Sequence, residues 1–116
     1  MRAFPLLIAL ISAPAIAGDV EITDAKARKS GEAWRFEVTL LHADTGWDHY
    51  ADAWRVVGPD GTVYGTRILA HPHVNEQPFT RSLSGVQIPG GVTSVTIEAK
   101  DSVHGWAEAT YSLDLE

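Results

Sequence analysis

From Val20 onward the apolar side chains recur at every second position, and no stretch of eleven or more residues carries a stripe spaced for a helix. The clearest segment alternates Trp34, Phe36, Val38 and Leu40 with Arg35, Glu37 and Thr39, the pattern of a strand with one face on a core and one in water. Val95, Ile97 and Ala99 repeat it against Thr96, Glu98 and Lys100, as do Ala109, Tyr111, Leu113 and Leu115 against Thr110, Ser112 and Asp114. Turn chemistry separates the runs: Ser30-Gly31-Glu32, Pro59-Asp60-Gly61, Pro89-Gly90-Gly91 and Val103-His104-Gly105. The spacing predicts seven strands, near 20–28, 33–42, 52–58, 62–70, 79–84, 92–101 and 107–115. That count points to an all-β, seven-stranded antiparallel sandwich of the immunoglobulin or fibronectin-III kind. Trp54 falls on the third strand, but the paired cysteines of antibody domains are absent, so fibronectin-III-like is the better description. The core is expected to be led by Trp34, Phe36, Val38, Leu40, Trp54, Val95, Ile97, Tyr111 and Leu113.

The first residues follow another rule. One positive charge at Arg2, an apolar run and the small-residue triplet Ala15-Ile16-Ala17 have the layout of a cleavable signal peptide. The run falls short of the ~20 apolar residues a bilayer requires, and no Lys or Arg flank follows it. The expected organisation is a signal peptide over 1–17 and a single β-sandwich domain over 18–116, periplasmic or secreted, with no membrane span after cleavage near Ala17. Cleavage removes Arg2 from the nine basic residues and takes the net charge from −6 to −7, which argues against a nucleic-acid partner. The chain has no cysteine, which excludes disulfides, thiolate metal sites and thiol nucleophiles. A short leader on a disulfide-free domain suits a bacterial periplasm.

The five histidines and four tryptophans add chemistry to this frame. Following the strands as antiparallel hairpins brings the loops 43–50, 71–78 and 102–106 to one end, with all five histidines and the amino terminus at Gly18. In His71-Pro72-His73 the proline fixes its own φ and pushes His71 into an extended conformation, so both imidazoles of the pair tend to project to one side. Joined by His49 and His104 from the neighbouring loops, His71 and His73 are the predicted ligands of a divalent ion, copper or zinc. Asp48 or Asp52 is suited to orienting a ligating imidazole. The same loop has a plainer reading, with Asp44 starting a turn, Gly46 supplying the bend, and Trp47 and Tyr50 capping the core. His42 shares the parity of Trp34, Phe36, Val38 and Leu40 and is expected inward as a hydrogen-bonded core histidine. Arg67 and Arg81 are candidates for pairing with Glu76 or Asp52, or for meeting an anionic ligand.

The stretches Trp47-Asp48-His49-Tyr50-Ala51-Asp52-Ala53-Trp54, His71 to Ser82 and Asp101-Ser102-Val103-His104-Gly105 resemble a family of small exported bacterial proteins of unassigned activity. The resemblance spans most of the mature chain and implies a compact periplasmic domain, with no chemistry attached. The architecture is also similar to periplasmic copper-carrying β-sandwiches, whose methionine-rich and amino-terminal histidine motifs are missing here. An enzyme is the least supported class: there is no G-x-S-x-G elbow, phosphate loop or H-E-x-x-H helix, and a histidine brace would require histidine where cleavage leaves Gly18 or Asp19. Two readings remain open. One is a metal-binding protein; the other is a metal-free module that uses Trp47, Tyr50, Trp106 and the histidines to bind a small ligand or dock a partner protein.

Overall fold

A computed structural model describes residues 19–115, so the expected leader over 1–17 and its cleavage site lie outside the described residues. Eight strands follow one another: β1 (Glu21–Ser30), β2 (Ala33–Leu41), β3 (Ala51–Val57), β4 (Val63–Ile68), β5 (Phe79–Val86), β6 (Ser94–Asp101), β7 (Gly105–Trp106) and β8 (Tyr111–Asp114). They form two antiparallel sheets, one of three strands in the order β1-β2-β5, the other of five in the order β4-β3-β6-β7 with β8 also on β6. The chain is therefore all-β, in an arrangement consistent with a sandwich. No helix among the described residues is long and apolar enough to cross a membrane.

Strict alternation along β2 buries Trp34, Phe36, Val38 and Leu40 and turns Arg35, Glu37 and Thr39 outward. From the facing sheet come Ala51, Trp54, Val56, Val95, Ile97 and Ala99, and Val20, Ala25, Leu69, Phe79 and Val86 complete the buried cluster. Phe36, Val38, Leu40, Trp54, Val56 and Ile97 have no exposed surface. Tyr111 and Leu113 pack against this cluster only half-buried, at its margin.

Where one strand is expected over 107–115, the structure has β8 (Tyr111–Asp114) within that range and a separate short strand, β7 (Gly105–Trp106), just before it. Lys100 pairs with Trp106 and the Ala107 N–H donates to the Ala99 carbonyl, so Ile97 would next face residue 109. It faces Tyr111 instead. Two surplus residues loop out, which ends β7 and leaves Ala109 exposed. Because the surplus is even, the parity survives, and Tyr111 and Leu113 still turn inward. In β3 the surplus is a single residue. Ala51 pairs with Asp101 and Ala53 with Lys100, so Asp52 is the extra residue, and this odd bulge allows both Ala51 and Trp54 to reach the core.

The loops at one end are tied to each other. The Leu69 N–H donates to the Asp52 carbonyl and the Ser102 N–H to the Tyr50 carbonyl, linking the three segments that carry His49, His71, His73 and His104.

Because Phe36 is wholly enclosed, Phe36→Ala is expected to cost ~3–5 kcal/mol of unfolding free energy. Urea denaturation of the variant tests this. A loss below ~1 kcal/mol would contradict the assignment of the β2 face.

Candidate metal centre

The inward parity of β2 continues past its last apolar residue: Leu40 is followed on the same face by His42 and Asp44, both buried. On β6 the series Val95, Ile97, Ala99 ends likewise in Asp101, whose side chain has no solvent exposure. Three polar side chains thus roof the apolar core, where each needs a partner.

Asp44 supplies several of those partners. Its Oδ1 accepts from His42 Nδ1 at 2.5 Å and from the Ala51 N–H at 3.0 Å, and its Oδ2 accepts from the His73 N–H at 2.7 Å. Asp44 is thus more than the turn residue that the sequence suggested. With Nδ1 engaged by Asp44, the His42 ring presents Nε2 toward Asp101, 3.8 Å from Oδ2. A carboxylate on one imidazole nitrogen, fixing the ring while the other nitrogen faces a potential ion, is the usual support of a metal-ligating histidine.

Asp101 is the second hub. Its Oδ1 accepts from the backbone N–H groups of Val103 at 2.9 Å and His104 at 2.7 Å, which shapes the 102–104 turn. His49 Nε2 lies 3.1 Å from Oδ1, and His104 Nδ1 lies 3.1 and 3.2 Å from the two oxygens. Burial is the largest influence on Asp101 and works against its charge. The N–H groups of His104 and Val103 and the His104 ring together outweigh it, so the carboxyl is held below the usual value for an aspartate and stays ionised.

His49 is delivered by a tight turn. The Thr45 N–H donates to the His49 carbonyl, the His49 N–H donates back to Gly46, and Gly46 adopts a φ of 137° that other residues rarely adopt. The turn brings the His49 ring to 4.7 Å from that of His42, edge to face, and 5.0 Å from that of His104. Trp47 at the tip is 68% exposed, so it does not cap the core, and it meets Tyr50 edge to face at 5.5 Å.

Donor atoms of His42, His49 and Asp101 lie within 4.8 Å of one another, as do those of Asp19, Asp101 and His104. Either group could hold a metal ion. Asp19, Asp44 and Asp101 form ion pairs with histidines alone among the described residues; no Lys or Arg reaches them.

Of the four ligands expected from the sequence, His49 and His104 meet at Asp101. His71 and His73 belong to neither donor group among the described residues. Their rings lie 4.7 Å apart, with His73 stacked on Phe79 at 4.0 Å and His71 Nδ1 on the Pro72 carbonyl. The residues expected to support the ligands have other contacts. Asp52 pairs with Lys100 at 2.8 Å, and Glu76 pairs with Arg81 at 3.0 Å, whose hydrogen bond holds the Glu76 carboxyl below its usual value. Trp106 lies under the Arg55 guanidinium at 3.7 Å, and Asp48 is exposed. Asp101 and Asp44 were not singled out as ligands or supports, although the parity that points His42 inward reaches both.

A protein of the archaeon Halomicrobium mukohataei named "Putative lipoprotein" is 41% identical over 86 residues, 74% of this chain. The chain spans 42% of that relative's length. No family model and no solved structure matches the chain.

Removing Asp44 strands the His42 ring and two backbone N–H groups in a buried site, so Asp44→Ala is expected to cost ~3–5 kcal/mol in urea unfolding. A cost below ~1 kcal/mol would mean that the loops are held by something else.

His73 gives a pH signature. Burial pushes its imidazole below the usual 6.5, aided by the charges of Arg81 and His71 against the opposing pull of Glu76 and Asp44. The unfolded chain takes up this proton first, so His73 favours folding fully above pH 6.5, and its contribution is lost as the pH falls toward the lower folded value. His73→Phe, which keeps a ring on Phe79, is expected to lose less stability than the parent between about pH 7.5 and 5.5. Identical slopes would contradict the shift.

Proposed function

We propose that this chain is an exported, single-domain metal-binding protein that holds one divalent ion between His42 Nε2, His49 Nε2 and the Asp101 carboxylate, with His104 beside it. The observation that carries the reading is the joint placement of these donors within 4.8 Å at the buried end of the sandwich, with Asp44 orienting His42 from behind. Three carboxylates whose ion-pair partners among the described residues are all imidazoles favour added positive charge, and a divalent ion supplies it without protonating the ligands. The donor set is nitrogen and oxygen. With no cysteine, and with Met1 the sole methionine of the sequence, Cu²⁺ and Zn²⁺ suit it better than a soft ion, and Cu²⁺ binds more tightly of the two at equilibrium.

Export is supported by the leader pattern over 1–17 and by the relative whose name is that of a lipoprotein. The domain extends over 18–116 in this reading. The orders β1-β2-β5 and β4-β3-β6-β8 support a fibronectin-III-like connection of the two sheets. A second reading, a metal-free module that binds a small ligand or a partner protein, is favoured by the exposure of Trp47, Val74 and Val103, one on each of the three loops at this end.

Calorimetric titration of protein purified without an affinity tag distinguishes the two. Binding of Zn²⁺ and Cu²⁺ at micromolar concentration or tighter is expected, with a loss of tenfold or more in His49→Gln and no loss in the His71→Ala, His73→Ala double variant. Absence of binding, or loss only in the double variant, would contradict the proposed site.

A further inference from the structure

We propose a second cation site at the same end, formed by Asp19, Asp101 and His104, so that the Asp101 carboxylate bridges two divalent ions. The inference rests on the proposed inner site for one of those ions and adds an outer one with its own ligands. His104 Nδ1 lies 3.7 Å from Asp19 Oδ1 and 3.1 Å from Asp101 Oδ1, and the donor atoms of all three residues lie within 4.8 Å of one another. His104 and Asp19 belong to this group and not to the one formed by His42 and His49; the two groups share Asp101 alone. One ion cannot collect both sets in this geometry.

Asp101 is suited to sharing. An ionised carboxylate has about four lone-pair positions, and the N–H groups of Val103 and His104 occupy two of them, both on Oδ1. The remaining positions are faced by the rings of His49 and His104, which belong to different donor groups. Charge argues the same way. An inner ion neutralises Asp101 and, through His42, offsets Asp44. Asp19 is then left with His104, the one ion-pair partner it has among the described residues.

The two sites differ in access. His42 and Asp101 are fully enclosed and His49 is 22% exposed, whereas Asp19 and His104 are 30% and 40% exposed. The outer ion is thus the exchangeable one, held by two carboxylates and one imidazole, a set that suits Zn²⁺ or Mn²⁺.

The test is the Zn²⁺ stoichiometry of protein purified without an affinity tag, measured by elemental analysis after equilibrium dialysis. Two ions per chain are expected, one in Asp19→Asn and one in His49→Gln. Circular dichroism melts show whether each variant is folded, and Asp19 is exposed enough for its variant to serve as the reference. One ion per chain, unchanged in Asp19→Asn and lost in His49→Gln, would overturn the second site and leave the inner site standing. One ion lost in Asp19→Asn and kept in His49→Gln would support the outer site and overturn the inner one. No bound ion would overturn both.

Discussion

Two carboxylates buried at one end of the sandwich, Asp44 and Asp101, hold the loops that carry the histidines. Asp44 joins the end of β2, the start of β3 and the loop before β5 by accepting from the His42 ring and from the Ala51 and His73 N–H groups. Asp101 does the same for the 102–104 turn and the 45–49 turn. Bulk solvent does not reach groups so enclosed, so each hub needs partners within the site. The cost of burying two charges at the roof of the core is the constraint from which the loop geometry and the proposed chemistry both follow.

How far the sequence revealed this depends on how local each signal is. The β2 and β6 faces were legible because alternation is a property of the strand alone, and it placed Trp34, Phe36, Val38, Leu40, Val95 and Ile97 inward, where they are. The break between β7 and β8 was not legible, because two surplus residues preserve the alternation that the reading depended on. The Asp52 bulge hid in the same way: its effect is on the pairing of β3 with β6, two segments far apart in sequence.

For the candidate site the limits are different. That the histidine-bearing loops meet at one end followed from counting strand directions, and His49 and His104 do meet there. The sequence could not rank them against the H-x-H pair, whose rings lie against each other, with His73 stacked on Phe79. His42 was read correctly as an inward, hydrogen-bonded histidine, but a histidine bonded to a carboxylate on one nitrogen can also ligate through the other. Asp101 completes the same parity series on β6, and a charged residue at a core position is the signal that would have drawn attention to it.

The central claim, that His42, His49 and Asp101 form the metal centre, is tested most directly by following the imidazole nitrogens of the ¹⁵N-labelled protein by NMR during a Zn²⁺ titration. The account predicts that Nε2 of His42 and of His49 shift on binding while the His71 and His73 nitrogens stay in place. Shifts confined to His71 and His73, with His42 and His49 unmoved, would contradict it.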